Sequence, residues 1–316
     1  MGSRAAVRGV TAVLAFRPTF PMRAAVILNP VAGGAISREG LRRRADLALG
    51  RLRASGVESV VHATAYPGHG REIAARAVRD GCDIVVAWGG DGTVNEVAGA
   101  LVHTTAALGI VPAGSGNGLA RMLRMPADPA SAIARIANGT TRPIDVGVIA
   151  DRLFVNVAGV GFDAHVAALF AARAGARRGF VRYAGIVLRE LRHYPGERYR
   201  VAFDGGPETE HRAFLLTFAN GRQWGNGAVI APDAQVDDGA LDAVSVAKDG
   251  FWRAALAIPR LFAGTIDRAR GVTITKVRAA RVAADGPLVF HVDGEPVRGS
   301  DVLEVRVLPD ALRIRC

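Results

Sequence analysis

Asp83-Ile-Val-Val-Ala-Trp-Gly-Gly-Asp-Gly-Thr93 decides the fold. Five apolar residues in a row, two of them β-branched valines, read as a strand buried on both faces. The glycines that follow end it and turn the chain into a helix expected over Val94 to Val102. Working outward, the same strand–turn–helix unit recurs. Arg23 to Leu28 is a strand that ends in Asn29-Pro30-Val31-Ala32-Gly33, and Ser37 to Leu52 has helical spacing. Ser59 to Thr64 and Gly70 to Arg79 make the next strand and helix. Ala107 to Val111 runs into Pro112-Ala-Gly-Ser-Gly-Asn117 and the helix Gly118 to Leu123. Repeated units of this kind predict a parallel sheet with its ligand at the carboxyl ends of the strands. The three glycine-rich turns fall at those ends.

Beyond about Asp145 the texture changes to short β runs: Leu153–Val157, Tyr199–Phe203, Phe214–Phe218, Leu241–Val246, Val289–Val292 and Val302–Val307. Helical insertions are expected at about Ala164 to His193 and Phe251 to Phe262. The pattern predicts an α/β domain over 22–143 and a β-rich, antiparallel, sandwich-like domain over 144–316, with a cleft between them and the C-terminal segment able to return to the first domain. Residues 1–21 are basic and acid-free, and read as an extended start ahead of Met22.

Composition narrows the function. The 316 residues carry a formal charge of +11, which favours anionic ligands and surfaces. Two cysteines exclude a disulfide framework, and Cys82, ahead of a buried strand, reads as a core residue in a reducing, cytoplasmic setting. No apolar run approaches the ~20 residues of a membrane-spanning helix. The charge is diffuse and lacks interleaved aromatics, which argues against nucleic acid.

The glycines of Gly89-Gly90-Asp91-Gly92-Thr93 let backbone N–H groups approach an anion, and the following helix start adds partial positive charge. Thr93 can cap the helix or meet a phosphate, and Asn95 can hydrogen-bond a nucleotide. Asp91 would repel phosphates unless it binds Mg²⁺, pairs with a base or receives the substrate's proton. There is no P-loop and no lysine before Lys248, which excludes P-loop NTPases and protein kinases; a Rossmann fingerprint is absent too.

Taken in order, Asn29-Pro-Val-Ala-Gly33, Gly89-Gly-Asp-Gly-Thr-Val-Asn-Glu-Val97 and Pro112-Ala-Gly-Ser-Gly-Asn-Gly-Leu-Ala-Arg121 resemble the successive motifs of the diacylglycerol kinase catalytic-domain superfamily, which includes bacterial lipid kinases and sphingosine and ceramide kinases. The resemblance implies an ATP-dependent lipid kinase with nucleotide contacts at Asn29, Pro30, Val31, Ala32, Gly33, Thr64, Gly89, Gly90, Asp91, Gly92, Thr93, Val94, Asn95 and Ser115. It implies that His291-Val-Asp293-Gly-Glu295 carries the proton acceptor, Glu295 by preference and Asp293 as the orienting or alternative group, with Asp91 also catalytic. His291 itself reads as a strand residue. It further implies a structural Mg²⁺ on the Asp238 side chain and carbonyls near Gln235 and Ala240, beside the Mg²⁺ that arrives with ATP. The Gly-Ser-Gly-Asn turn is similar to the sphingosine and ceramide kinase version.

The expected partner is a lipid alcohol met at the inner face of a membrane. Arg178, Arg182, Arg189 and Arg192, or Phe251-Trp252 and Leu261-Phe262, are the candidate contacts. A homo-oligomer is compatible with the sequence. An NAD kinase, which shares Gly-Gly-Asp-Gly-Thr, and a catalytically silent nucleotide- or lipid-binding protein are the rival readings.

Overall fold

The computed structural model describes residues 22–172, 180–225, 227–247 and 251–316. The leader 1–21, Arg178 and the side chains of Arg182, Phe251 and Trp252 lie outside the described residues.

The first half runs β1 (Arg23–Leu28), α1 (Arg38–Ala54), β2 (Glu58–Ala63), α2 (His69–Arg79), β3 (Ile84–Gly89), α3 (Asp91–Leu101), β4 (Ala107–Pro112), α4 (Gly118–Met122) and α5 (Pro129–Asn138). The strands lie parallel in the order β2-β1-β3-β4. Every residue of β3 is buried, as a central strand covered by helices on both faces requires. Local chemistry sets the helix starts: Ser37 accepts from the Gly40 N–H at α1, and Asp128 accepts from Ser131 ahead of Pro129 at α5. Cys82 is buried at the start of β3, where burial pushes its thiol pKa up. One boundary differs from the expectation. α3 begins at Asp91, not Val94, because Gly90 already takes the extended cap conformation, so Asp91, Gly92 and Thr93 form the first helical turn.

The second half follows as β5 (Thr141–Ile149), β6 (Arg152–Phe154), β7 (Val157–Gly161), α6 (Phe162–Ala172), α7 (Phe180–His193), β8 (Glu197–Phe203), β9 (Thr209–Ala219), β10 (Gln223–Gly225), β11 (Ala228–Val229), β12 (Leu241–Ala247), α8 (Phe251–Ala263), β13 (Val272–Val277), β14 (Ala279–Ala283), β15 (Val289–Val292), β16 (Glu295–Arg298) and β17 (Val302–Arg315). Its pairings are antiparallel, giving a β-rich domain with its own core around Phe154, Tyr199, Phe218 and Phe290. The predicted strand Leu153–Val157 is two strands, β6 and β7, joined by a crossing at Val155-Asn156.

β17 is fourteen residues long where six were expected. It pairs with β14 and β5, slips register between Leu308 and Leu312, and finishes parallel to β4. One sheet therefore runs unbroken through both halves. Asp145, 1 % exposed, stitches the crossing: its carboxylate accepts the N–H groups of Gly239 at 2.7 Å and Asp310 at 2.9 Å. Among the described residues no helix is long and apolar enough to cross a membrane.

Candidate active site

Three turns at the carboxyl ends of β1, β3 and β4 pack on one another through their backbones. The Asn29 side chain closes its own turn by accepting from the Val31 N–H, and its amide donates to Thr93 Oγ1 at 3.0 Å. Pro30, Ala32 and Gly33 complete that turn, with Val31 67 % exposed at its tip. Thr64 sits beside it at the end of β2, bonded through its N–H to the Leu28 carbonyl. Gly89 accepts from the Ala113 N–H, and Gly90 and Gly114 meet backbone to backbone: a Cβ on Gly114 would lie 2.7 Å from the Gly90 Cα. Asn117, in the left-handed region, folds the third turn by accepting from Gly114 N–H and donating to its carbonyl. Ser115 is exposed at the tip of that turn. The first N–H groups of α3 open toward this junction, and α3 is long enough for its dipole to attract an anion. The chemistry of the cradle is that of a phosphate site built from amides and hydroxyls.

Asp91 has a task that the sequence did not suggest. Its two carboxylate oxygens accept the N–H groups of Asn117 and Gly118, each at 2.8 Å, so the side chain pins the third turn to the second. Val94 is buried, and its N–H donates to the Gly90 carbonyl. Both hydrogens of the Asn95 amide are used, one on the Leu153 carbonyl and one on Asp293 Oδ2, so Asn95 joins the two halves of the molecule.

Across the cleft, β15 and β16 are joined by the two-residue turn Asp293-Gly294. Both residues have positive φ (47° and 88°), the requirement of a type I′ hairpin. Asp293 is saturated: it accepts from the N–H groups of Val155, Asn156 and Val157 and from Asn95. Burial pushes its carboxyl up and these four donors oppose that push, but no acceptor oxygen is left facing the cleft for a substrate proton. Asp293 thus anchors the hairpin that presents Glu295. Glu295, two residues on, is exposed, and its Oε1 lies 2.9 Å from where a Cβ on Gly92 would stand. The turn brings a carboxylate from the second half directly onto the phosphate cradle of the first. His291 is buried, with Nε2 2.9 Å from Asp163 Oδ2, which also accepts from Thr217 Oγ1.

The expected structural metal site holds a cation of another kind. Lys276 Nζ lies 2.5 Å from Asp238 Oδ2 and 3.4 Å from Asp242 Oδ2. Burial alone would lower the Lys276 pKa, yet the pull of Asp238 and Asp242 takes it above the ordinary lysine value. A divalent ion about 4 Å from that ammonium would meet a repulsion of about 8 kcal/mol at an effective dielectric of about 20. Asp238 Oδ1 accepts from the Ala240 N–H. Gln235 stands exposed on the same loop. With Lys276 seated on it, the Asp238 carboxylate does not fit a bound Mg²⁺.

Two residues went unassigned in the sequence reading. Glu96 accepts from Gly68 and Gly70 N–H groups and so clamps the start of α2 to α3; Asn117 shapes the third turn. Both lie inside the motifs quoted above, and their side-chain type was the available signal.

Residues 23–149 match the family described as the diacylglycerol kinase catalytic domain, and residues 156–316 match the YegS C-terminal NAD kinase beta sandwich-like domain. The chain is 35 % identical over 277 residues to a protein of Pseudomonas aeruginosa named "Probable lipid kinase YegS-like", covering 84 % of this chain and 87 % of the relative. It is 31 % identical over 300 residues to the diacylglycerol kinase of Mycobacterium tuberculosis, covering 91 % and 93 %. The fold is shared with a crystal structure of a diacylglycerol kinase from Bacillus anthracis at a TM-score of 0.70 and 19 % identity, over 94 % of this chain and 97 % of that one.

Proposed function

This chain belongs to the diacylglycerol kinase catalytic-domain family of lipid kinases, and from that premise we propose that it transfers the γ-phosphoryl group of ATP to the hydroxyl of a lipid alcohol. The observation that carries this reading is the approach of the Glu295 carboxylate to Gly92, an acid group held against a cradle of backbone amides. Triphosphate charge is met by the N–H groups at the start of α3 and by the turns at Asn29 and Ser115. Thr93 Oγ1 stands between the Asn29 amide and the first turn of α3, so the first two turns keep a fixed spacing. A magnesium ion arriving with the nucleotide would supply further positive charge to the phosphates held by these turns. Glu295 then takes the proton of the attacking hydroxyl, and narrowing of the cleft excludes water.

Asp91 and Asp293 support this chemistry from behind. The first fixes the turn that faces the phosphates; the second fixes the hairpin that presents Glu295. A proton acceptor of this kind contributes about 10²–10⁴-fold in rate. Glu295→Gln is therefore expected to lower kcat by about that factor while nucleotide affinity stays within about twofold. A near-normal turnover in this variant would remove Glu295 from the role. Labelled ATP offered with a panel of diacylglycerols, sphingoid bases, ceramides and NAD identifies the acceptor. Label appearing only in NAD would replace the lipid with a dinucleotide, and no transfer to any acceptor would favour a silent binding protein.

A further inference from the structure

The loop between β11 and β12 carries Asp233, Asp237 and Asp238, Asp242 follows on β12, and the carboxylates of Asp238 and Asp242 share one counter-charge. We propose that this chain supplies the charge from within: Lys276 is the resident cation of the acidic loop, standing where relatives of this family would be expected to use a divalent metal.

Backbone register makes the contact. Lys276 on β13 is the direct cross-strand partner of Asp242 on β12, so the ammonium emerges beside the loop wherever the two strands are correctly paired. From there it reaches Asp238 at 2.5 Å and Asp242 at 3.4 Å. The neighbouring carboxylates have protein donors of their own. Arg142 Nη1 lies 2.6 Å from Asp237, the Ala240 N–H serves Asp238 Oδ1, and Asp145 takes two backbone N–H groups. The residue type fits the task. Among forty basic residues only two are lysines, and a compact ammonium replaces a metal ion as a point charge where the planar guanidinium of arginine would not.

The loop matters because it is fastened to the crossing between the two halves. The Asp145 N–H donates to the Val236 carbonyl at 2.6 Å, and the Gly239 N–H returns to the Asp145 carboxylate. Lys276 therefore supplies at this joint the positive charge that a metal would otherwise bring.

Thermal unfolding of the nucleotide-free full chain, in EDTA and in millimolar Mg²⁺ at matched ionic strength, tests the proposal. The wild-type Tm is expected to be the same in both to within about 1 °C. Lys276→Met should lower the Tm in EDTA and recover by roughly 5 °C in Mg²⁺, since a metal that binds only the folded chain stabilises it. Lys276→Met combined with Asp238→Asn should lose that recovery. Lys276→Gln, which keeps the length and polarity of the side chain, should acquire the same magnesium response should the methionine variant fail to fold. A wild-type Tm that rises in Mg²⁺ overturns the proposal, and so do lysine variants indifferent to magnesium. None of these readouts uses turnover, so they stand apart from the test of Glu295.

Discussion

Replacing Asp91 by Asn separates three tasks for this residue: metal ligand, proton acceptor and fastener of the third turn. The two hydrogen bonds from Asn117 and Gly118, each 2.8 Å, are charge-assisted and worth about 1.5–3 kcal/mol apiece. In Asp91→Asn one oxygen still accepts, but the new NH₂ group faces the second N–H, donor against donor. The loss is one charge-assisted bond plus part of the cost of an unpaired backbone N–H, about 2–4 kcal/mol. If the nucleotide binds only when the third turn is closed, its affinity falls about 30- to 700-fold at 1.4 kcal/mol per tenfold. Calorimetric titration with a non-hydrolysable ATP analogue, with and without Mg²⁺, reads this directly. A fastener predicts the same weakening under both conditions. Weakening confined to the magnesium titration would identify a metal ligand. Unchanged affinity with a collapsed kcat would identify a proton acceptor, and either result refutes the reasoning.

Two other consequences concern stability. Asp145→Ala leaves the part-buried N–H groups of Gly239 and Asp310 without their acceptor, for a loss of about 3 kcal/mol and a Tm lower by roughly 4–6 °C in differential scanning calorimetry; a fall under 2 °C would mean that the joint is held elsewhere. Glu197 accepts from both Tyr194 and Tyr199, and burial first, then the hydrogen bond to Glu197 for Tyr194 and the neighbouring Tyr194 and Glu197 charges for Tyr199, push the two phenols far above the ordinary tyrosine value of about 10. The folded chain keeps these protons above pH 10 while the unfolded chain releases them, so stability is full below pH 10 and declines as pH climbs past it. Tyr199→Phe should flatten that decline in urea titrations between about pH 9 and 11, and an unchanged slope would count against the account.

The parallel half was legible because its signals are local. A run such as Ile84–Trp88 followed by glycines states both strand and turn within ten residues, and the carboxyl-end rule then gathers Asn29, Gly89 and Ser115 into one place. The second half was harder. β5 begins Thr141-Arg-Pro-Ile-Asp145, whose proline and charges disguise a strand that pairs along β17 over most of its length. The partners that give the site its character are far apart in the chain. Asp293 reaches Asn95 across 198 positions, and Lys276 reaches Asp238 across 38. An acidic cluster announces a need for positive charge without saying who meets it; only the pairing of β12 with β13 does. The contacts of Asp91 were hidden for a related reason. A carboxylate between glycines suggests chemistry, while the amides that consume it belong to a turn 26 residues downstream.

The reach of β17 bears on how this protein can be taken apart. Near its end, Arg313 and Ile314 pair with Ala107 and Leu108, so a fragment stopping near residue 143 would leave the start of β4, an apolar strand, open to its neighbours in solution. The partner fragment would end in a ribbon whose Leu312 and Ile314 have lost the surfaces that bury them. Expressed separately, the pieces should aggregate; mixed during refolding, they should complement one another.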